Sequence, residues 1–392
     1  MPENKIVGVT TTRSEGKDKV SGRARYTADM AIPNMLWCKA LRSPIAHGRI
    51  KNIELSNAQA VPGVKIVLTG ADVSGARIGK KIIDMPLLAD RVVRYIGEKV
   101  AVVAADTPAA AARAVSLIEV AYEELEAVVD PIQAAKPSAP LIHPDVATYP
   151  GLLHPIDIPS NVFVRLEWRK GNIEAAFAEA DMVVENTFTT PLIHHGYIEP
   201  HCCIVEAKED GAQIWASSKS PFGLRDHIAG ALDIPAHKII AHPGYIGGDF
   251  GGKGDANDIA VCYVLSLRTG QPVKYVMEYT EELTSGNPRH ASVTTIKTGV
   301  KRNGRIVAQH INLLFDSGAY GSFRPQGYLV GAHTSGGPYK IGHFLLEESY
   351  VYTNKMPCGY MRAPGHPQGF FANESQLDLV AYQLGMDPAE LR

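Results

Sequence analysis

Along the chain, short apolar clusters of strand length alternate with stretches whose apolar residues recur at helical spacing. Within residues 61–69, Val64, Ile66, Val67 and Leu68 form a cluster broken only by Lys65, and residues 100–105 are wholly apolar; both predict strands. From Thr107 to Leu117 the pattern turns helical, with Thr107 suited to cap the first turn and Pro108 suited to the first helical position. Residues 118–122 predict the next strand, so this segment reads as a strand–helix–strand crossover. Asn172 can cap a helix at 173–180 that carries Ile173, Ala176, Phe177 and Ala180 on one face. Strands are predicted at 182–189, 202–206, 213–217 and 239–242, and helices at 222–232 and 255–267, the second closed by Gly270. The strongest strand signal is a hairpin, 293–301 and 306–315, about the Asn303-Gly304 turn. A final helix at 367–384 is predicted to turn Phe370, Glu374, Leu377, Ala381 and Leu384 inward.

These elements divide the chain. Residues 1–16 are polar and predict a loose extension; Lys17 to Asp130 predicts a mixed α/β unit. Residues 131–165, rich in Pro, His and Ala, predict a connector wrapped on the surface, and 166–392 a second α/β unit. At the end, Asp387, Pro388 and Glu390 make a helix-start signal with the shape of a capping box. Either it is a frayed last turn, or a second chain continues the fold from there, since one turn of helix is far too short to be stable alone.

Composition narrows the function classes. Lysine and arginine number 39 against 41 aspartates and glutamates, a balance that gives no reason to expect nucleic acid or an anionic membrane as partner. No run of 18 apolar residues is present to span a bilayer, and the first residues lack the pattern of a signal peptide. The five cysteines (Cys38, Cys202, Cys203, Cys262 and Cys358) are odd in number and include no C-x-x-C, so buried free thiols in a reducing cytoplasm are expected rather than disulfides or a metal site.

The most informative stretch is Gly247-Gly248-Asp249-Phe250-Gly251-Gly252-Lys253-Gly254, set between a predicted strand and a predicted helix. Glycines let the backbone turn tightly and approach a ligand, and N–H groups at a helix start favour an anion. The spacing also fits the G-x-x-x-x-G-K of a phosphate-binding loop, but Gly254 stands where such a loop needs Ser or Thr, and Phe250 crowds it. A plain structural turn is the third reading.

This glycine motif resembles the loop beside the molybdenum in the xanthine oxidase and aldehyde oxidase family. Residues 19–29 (KVSGRARYTAD), 42–50 (RSPIAHGRI), 95–105 (YIGEKVAVVAA), 195–200 (HGYIEP) and 361–368 (MRAPGHPQ) are similar to further signatures of that family, in its order and spacing. The resemblance implies an α+β fold: a small α/β-hammerhead domain at 17–130, then the first part of a molybdopterin-binding domain at 166–392. It implies the N-terminal half of a molybdopterin subunit, of the kind that nicotinate dehydrogenase divides between two polypeptides. The family's activity is hydroxylation of a carbon next to nitrogen or oxygen in N-heterocycles and aldehydes, with water as oxygen source. The cofactor would be a molybdenum–molybdopterin, as a dinucleotide form, with iron–sulfur and FAD subunits as partners.

Residue by residue, Phe250 and Gly251 match loop positions against the cofactor, and their N–H groups are expected to face a ligand of the metal. Arg362 matches an arginine whose segment touches the cofactor, and Lys219, in the pair Ser218-Lys219, stands where many relatives carry Gln. Gly254, Tyr320 and Pro364 replace the Glu, Arg and Phe of purine pockets, so a purine substrate is not expected and Tyr320 and Met361 are expected to line the pocket instead. The catalytic base of the family, a glutamate, is expected on a partner chain. No protein metal ligand is expected, and His47, His194, His195 and His366, with Glu199 and Glu374, read as structural. A non-catalytic scaffold subunit of the same fold is the alternative; a nucleotide-binding protein of the phosphate-loop kind ranks third.

Overall fold

The computed structural model describes residues 6–254 and 257–392. Two large sheets organise it. The first has seven strands, in the order Ile239–His242, Gly211–Ala216, Cys202–Lys208, Val273–Val276, Leu36–Arg42, Lys99–Ala105 and Val64–Thr69. Its middle joint is a parallel pairing of Leu36 with Val273 and Cys38 with Tyr275, so strands from both predicted units form one sheet. The second sheet has five strands, Met182–Thr190, Ser292–Val300, Ile306–Asp316, His343–Val351 and Val162–Lys170. A three-stranded sheet, Val92–Val93, Gly48–Glu54 and Glu119–Glu124, lies on the first unit.

Local chemistry sets the elements much as the pattern predicts. Thr107 accepts from the Ala110 N–H at 3.1 Å and starts the helix Pro108–Val115. Asn172 does the same for Ile173–Ala178 through the Ala175 N–H. The predicted hairpin is present as Ser292–Val300 and Ile306–Asp316. The helix expected from Asp255 is seen over Asn257–Thr269; its predicted start lies outside the described residues. Asp387 caps the short helix Pro388–Leu391.

Two expectations need correction, and a third gains detail. The strands on either side of the helix Pro108–Val115 belong to different sheets, so there is no crossover within one sheet: the chain leaves the seven-stranded layer at Ala105 and joins the three-stranded layer at Glu119. The connector runs over the surface as expected, most of 131–160 being exposed or half-buried, and it is anchored by Ile142, Val146 and Tyr149, buried in the core around the five-stranded sheet, and by Asn161, which bonds Ile142 N–H, Ala134 O and Pro140 O. The last helix, His366–Leu384, turns Leu377 and Ala381 inward as expected and packs Leu384 against the same core, but its buried face also takes in Gln368, Ala372, Asn373, Gln376 and Val380, while Phe370 and Glu374 lie at its half-buried margin. Polar residues can sit inward there because the sheet satisfies them: Gln309 Nε2 donates to Asn373 at 2.7 Å, and Gln376 Nε2 donates to Val184 O at 3.0 Å.

All five cysteines are free and buried, with Cys203 and Cys262 in thiol contact at 3.7 Å. Among the described residues, no helix is long and apolar enough to cross a membrane.

Candidate cofactor site

The glycine stretch 247–254 leaves the edge strand Ile239–His242 and folds into a loop braced by two carboxylates. Asp249 braces it from within: Oδ1 accepts from Lys253 N–H at 2.7 Å, and Oδ2 accepts from Gly251 N–H and Lys219 Nζ, both at 2.9 Å. Burial alone would raise the Asp249 carboxyl, but Lys219 and the two loop N–H groups outweigh it and hold it below the usual range. Glu199 braces the loop from beneath. Its Oε2 accepts from Gly247 N–H and from Lys253 Nζ, each at 2.6 Å, so one oxygen pins both ends. The Lys253 side chain is wholly buried, and its ammonium lies 4.9 Å from the Tyr197 ring centre. Gly252 has to be glycine for space: a Cβ there would come within 2.9 Å of Tyr197 and 3.0 Å of His195.

A second loop, 359–365, closes over the first. Arg362 N–H donates to Phe250 O at 2.7 Å. His195 Nε2 bonds Tyr360 O at 2.9 Å; a carbonyl only accepts, so Nε2 carries the proton. Burial pushes His195 down to about 4, which keeps the ring neutral. Asn287 Nδ2 holds Gly252 O at 2.8 Å, and Arg289 Nη2 holds Arg362 O at 2.7 Å. A Cβ on Gly251 would lie 2.5 Å from Tyr360 O, so the seam between the loops depends on that glycine. Phe250 at φ 47° and Ala363 at φ 57° are two of the four non-glycine residues with positive φ among the described residues, one in each loop of this seam.

The structure therefore brings together Phe250, Gly251, Lys219, Met361 and Arg362. Phe250 is 49% exposed, and the Lys219 and Arg362 side chains are exposed beside it. Two expectations fail here. The Gly251 N–H is spent on Asp249 and does not face a ligand. Tyr320 is fully buried elsewhere, donating to Glu98 at 2.5 Å within a group that includes Arg94 and His143, so it lines no pocket with Met361. A phenol can be buried on one carboxylate in a way that suits this core, and the turn after Asp316 carries Tyr320 into it. Asp249 and Lys253, which hold the first loop, lie within the glycine motif itself, whereas Asn287 and Arg289 carry no signal in the sequence, because their partners are backbone carbonyls distant along the chain.

This cradle suits an anionic pterin cofactor. The Lys219 and Arg362 side chains are exposed beside Phe250, and the buried Arg289 Nη1 donor has no partner, which suits an anion; the buried Glu199 Oε1, also partnerless, would take a donor from the same group.

Comparison with known proteins agrees with that geometry. The sequence model of the molybdopterin cofactor-binding domain matches residues 153–392, and that of the aldehyde oxidase and xanthine dehydrogenase a/b hammerhead domain matches 21–126. The chain is 34% identical to a probable xanthine dehydrogenase subunit of Bacillus subtilis (strain 168), over 97% of this chain and 49% of that protein. It is 33% identical to the nicotinate dehydrogenase large molybdopterin subunit of Eubacterium barkeri, over 99% of this chain and 88% of that one. Among solved structures, CO dehydrogenase from Oligotropha carboxidovorans superposes with a TM-score of 0.91 at 29% identity, covering 98% of this chain and 49% of that chain. Quinoline 2-oxidoreductase from Pseudomonas putida 86 superposes at 0.88 and 31%, covering 98% and 49%. The chain thus spans about half the length of these proteins, the nicotinate dehydrogenase subunit excepted. Fold, cradle and matches together place the chain in the aldehyde oxidase and xanthine dehydrogenase family of molybdopterin-binding proteins.

Proposed function

We propose that this chain forms one side of the cofactor seat in a multi-subunit molybdenum hydroxylase that oxidises a C–H bond of an N-heterocycle, aldehyde or related aromatic. The carrying observation is the seam in which Arg362 N–H donates to Phe250 O, joining the two loops beside the Lys219–Asp249 pair. When bound, a molybdenum–pterin group supplies transfer of oxygen from water to carbon and takes up two electrons. On this reading Phe250, Gly251, Arg362 and Lys219 seat the cofactor, and Met361 borders the substrate. Phe250 screens the reacting side from bulk water with its exposed ring, and Lys219 keeps a positive charge at the rim. The hammerhead unit is assigned to 17–130, the connector to 131–165 and the molybdopterin-binding region to 166–392. The base glutamate belongs to a partner that carries the rest of the molybdopterin subunit; iron–sulfur and FAD subunits carry electrons away, the pterin is a dinucleotide, and the assembly works in the cytoplasm.

The test is to purify the chain from its native cells under mild conditions and to measure molybdenum, pterin and accompanying polypeptides. About one molybdenum per chain, with an iron–sulfur protein alongside, is the expected result. A stable assembly that lacks pterin, from cells proven to make the cofactor, would sink the reading and favour a scaffold.

A further inference from the structure

Arg289 lies between the helix Tyr279–Ser285 and the strand Ser292–Val300. Its backbone is held on both sides, donating to Ile193 O at 2.8 Å and bridging Gly359. From this fixed backbone the side chain reaches the second loop of the cradle at Arg362. Nη2 donates to Arg362 O at 2.7 Å, while Nη1 is buried with no partner, and the residue is 9% exposed. Lys253 faces Glu199 and Lys219 faces Asp249, and the Arg362 side chain is exposed to solvent. Arg289 has no carboxylate within ion-pair distance among the described residues. A guanidinium cannot escape this by losing its proton. A buried guanidinium N–H without an acceptor costs free energy that an added acceptor, above all an anion, would recover.

We propose that Arg289 is the anion-receiving residue of the cradle: Nη1 takes an anionic group of the resident pterin cofactor, while Nη2 fixes the Arg362 carbonyl. One side chain then sets both the charge of the seat and the position of the loop that touches Phe250. The inference rests on the reading of this chain as a cofactor seat and adds to it a residue that no sequence signature marks. A substrate carboxylate is the other anion that this fork would suit, and the experiment separates the two.

The full complex is prepared with wild-type chain, Arg289→Lys and Arg289→Met, both from its normal host and from a host unable to make the pterin. In the pterin-free complexes, Arg289→Met is expected to melt within a few degrees of the wild-type temperature, since relief of the uncompensated charge offsets loss of the Nη2 bond to Arg362 O. In the loaded complexes it should release pterin and molybdenum on dilution about tenfold faster or more. Arg289→Lys, which keeps the charge but not the fork, should fall between. A pterin-free Arg289→Met complex that melts well below wild type, with unchanged cofactor release, would overturn the proposal in favour of a packing role. Full cofactor retention with a raised KM confined to carboxylate-bearing substrates would overturn it in favour of the substrate. Wild-type complex that holds no pterin would refute the underlying reading as well, and is seen before any variant is compared.

Discussion

Lys253 shows how a charge can be kept inside a loop of glycines. Its ammonium is wholly buried and shares one Glu199 oxygen with the Gly247 N–H. Removing the lysine leaves that carboxylate buried without its counter-ion, so Lys253→Met should lower unfolding stability by about 3–5 kcal/mol, read from urea denaturation. A change under about 1 kcal/mol would mean that the pair behaves as an exposed one. Glu348 makes a different prediction. It is 1% exposed, Tyr350 OH donates to its Oε2 at 2.9 Å, and Oε1 has no partner. Burial raises it from 4.5 to about 8, against the Tyr350 bond. The unfolded chain ionises this group near pH 4.5 and the folded chain only near 8, so its contribution is complete below about pH 4.5 and is lost as pH rises towards 8. Glu348→Gln should flatten that decline, by at most about 1.4 kcal/mol per pH unit, in melts taken across pH 5–8. An unchanged pH profile would show that Glu348 titrates normally. At this scale the sequence was readable where a residue acts on near neighbours, as Thr107 and Asn172 do. It misled at Tyr320, whose position in the chain resembles a pocket residue while its partners, Glu98 and Arg94, come from the other unit.

Among the elements, the seam between the 247–254 and 359–365 loops leaves little room for change. Gly251 has φ 114°, and a Cβ would meet Tyr360 O at 2.5 Å. Gly251→Ala should therefore part the loops, with at least about tenfold loss of pterin retention but a global melt lowered by only a few degrees. Equal retention would show that the seam can shift without consequence. Helix and hairpin identities were largely legible, because Asn303-Gly304 and Thr107-Pro108 are local signals. The inward face of His366–Leu384 was only partly legible. Apolar spacing finds Leu377, Ala381 and Leu384 but misses Gln368, Asn373 and Gln376, which go inside because Gln309, Val184 and His290, on strands and loops far away in sequence, admit them.

For the whole molecule, the decisive feature is the seven-stranded sheet that runs through both units. Two bodies joined by a shared sheet should unfold together, so calorimetry is expected to give one transition for this chain; two separable peaks would show that the parallel joint is weak. Nothing along the chain announces this joint. Each strand has ordinary alternation or an apolar core, and strand order depends on pairings such as Leu36 with Val273 that no local pattern encodes. That pairing has a further consequence during synthesis. On the ribosome, Leu36–Arg42 can pair with Lys99–Ala105 early, but its other edge waits for a strand made about 240 residues later. At roughly 5–20 residues per second that is on the order of ten to fifty seconds in which a growing chain offers an open strand edge to its neighbours. Holding chaperones, or slow delivery of the stretch up to Val276, would then decide how much of the newborn protein reaches assembly.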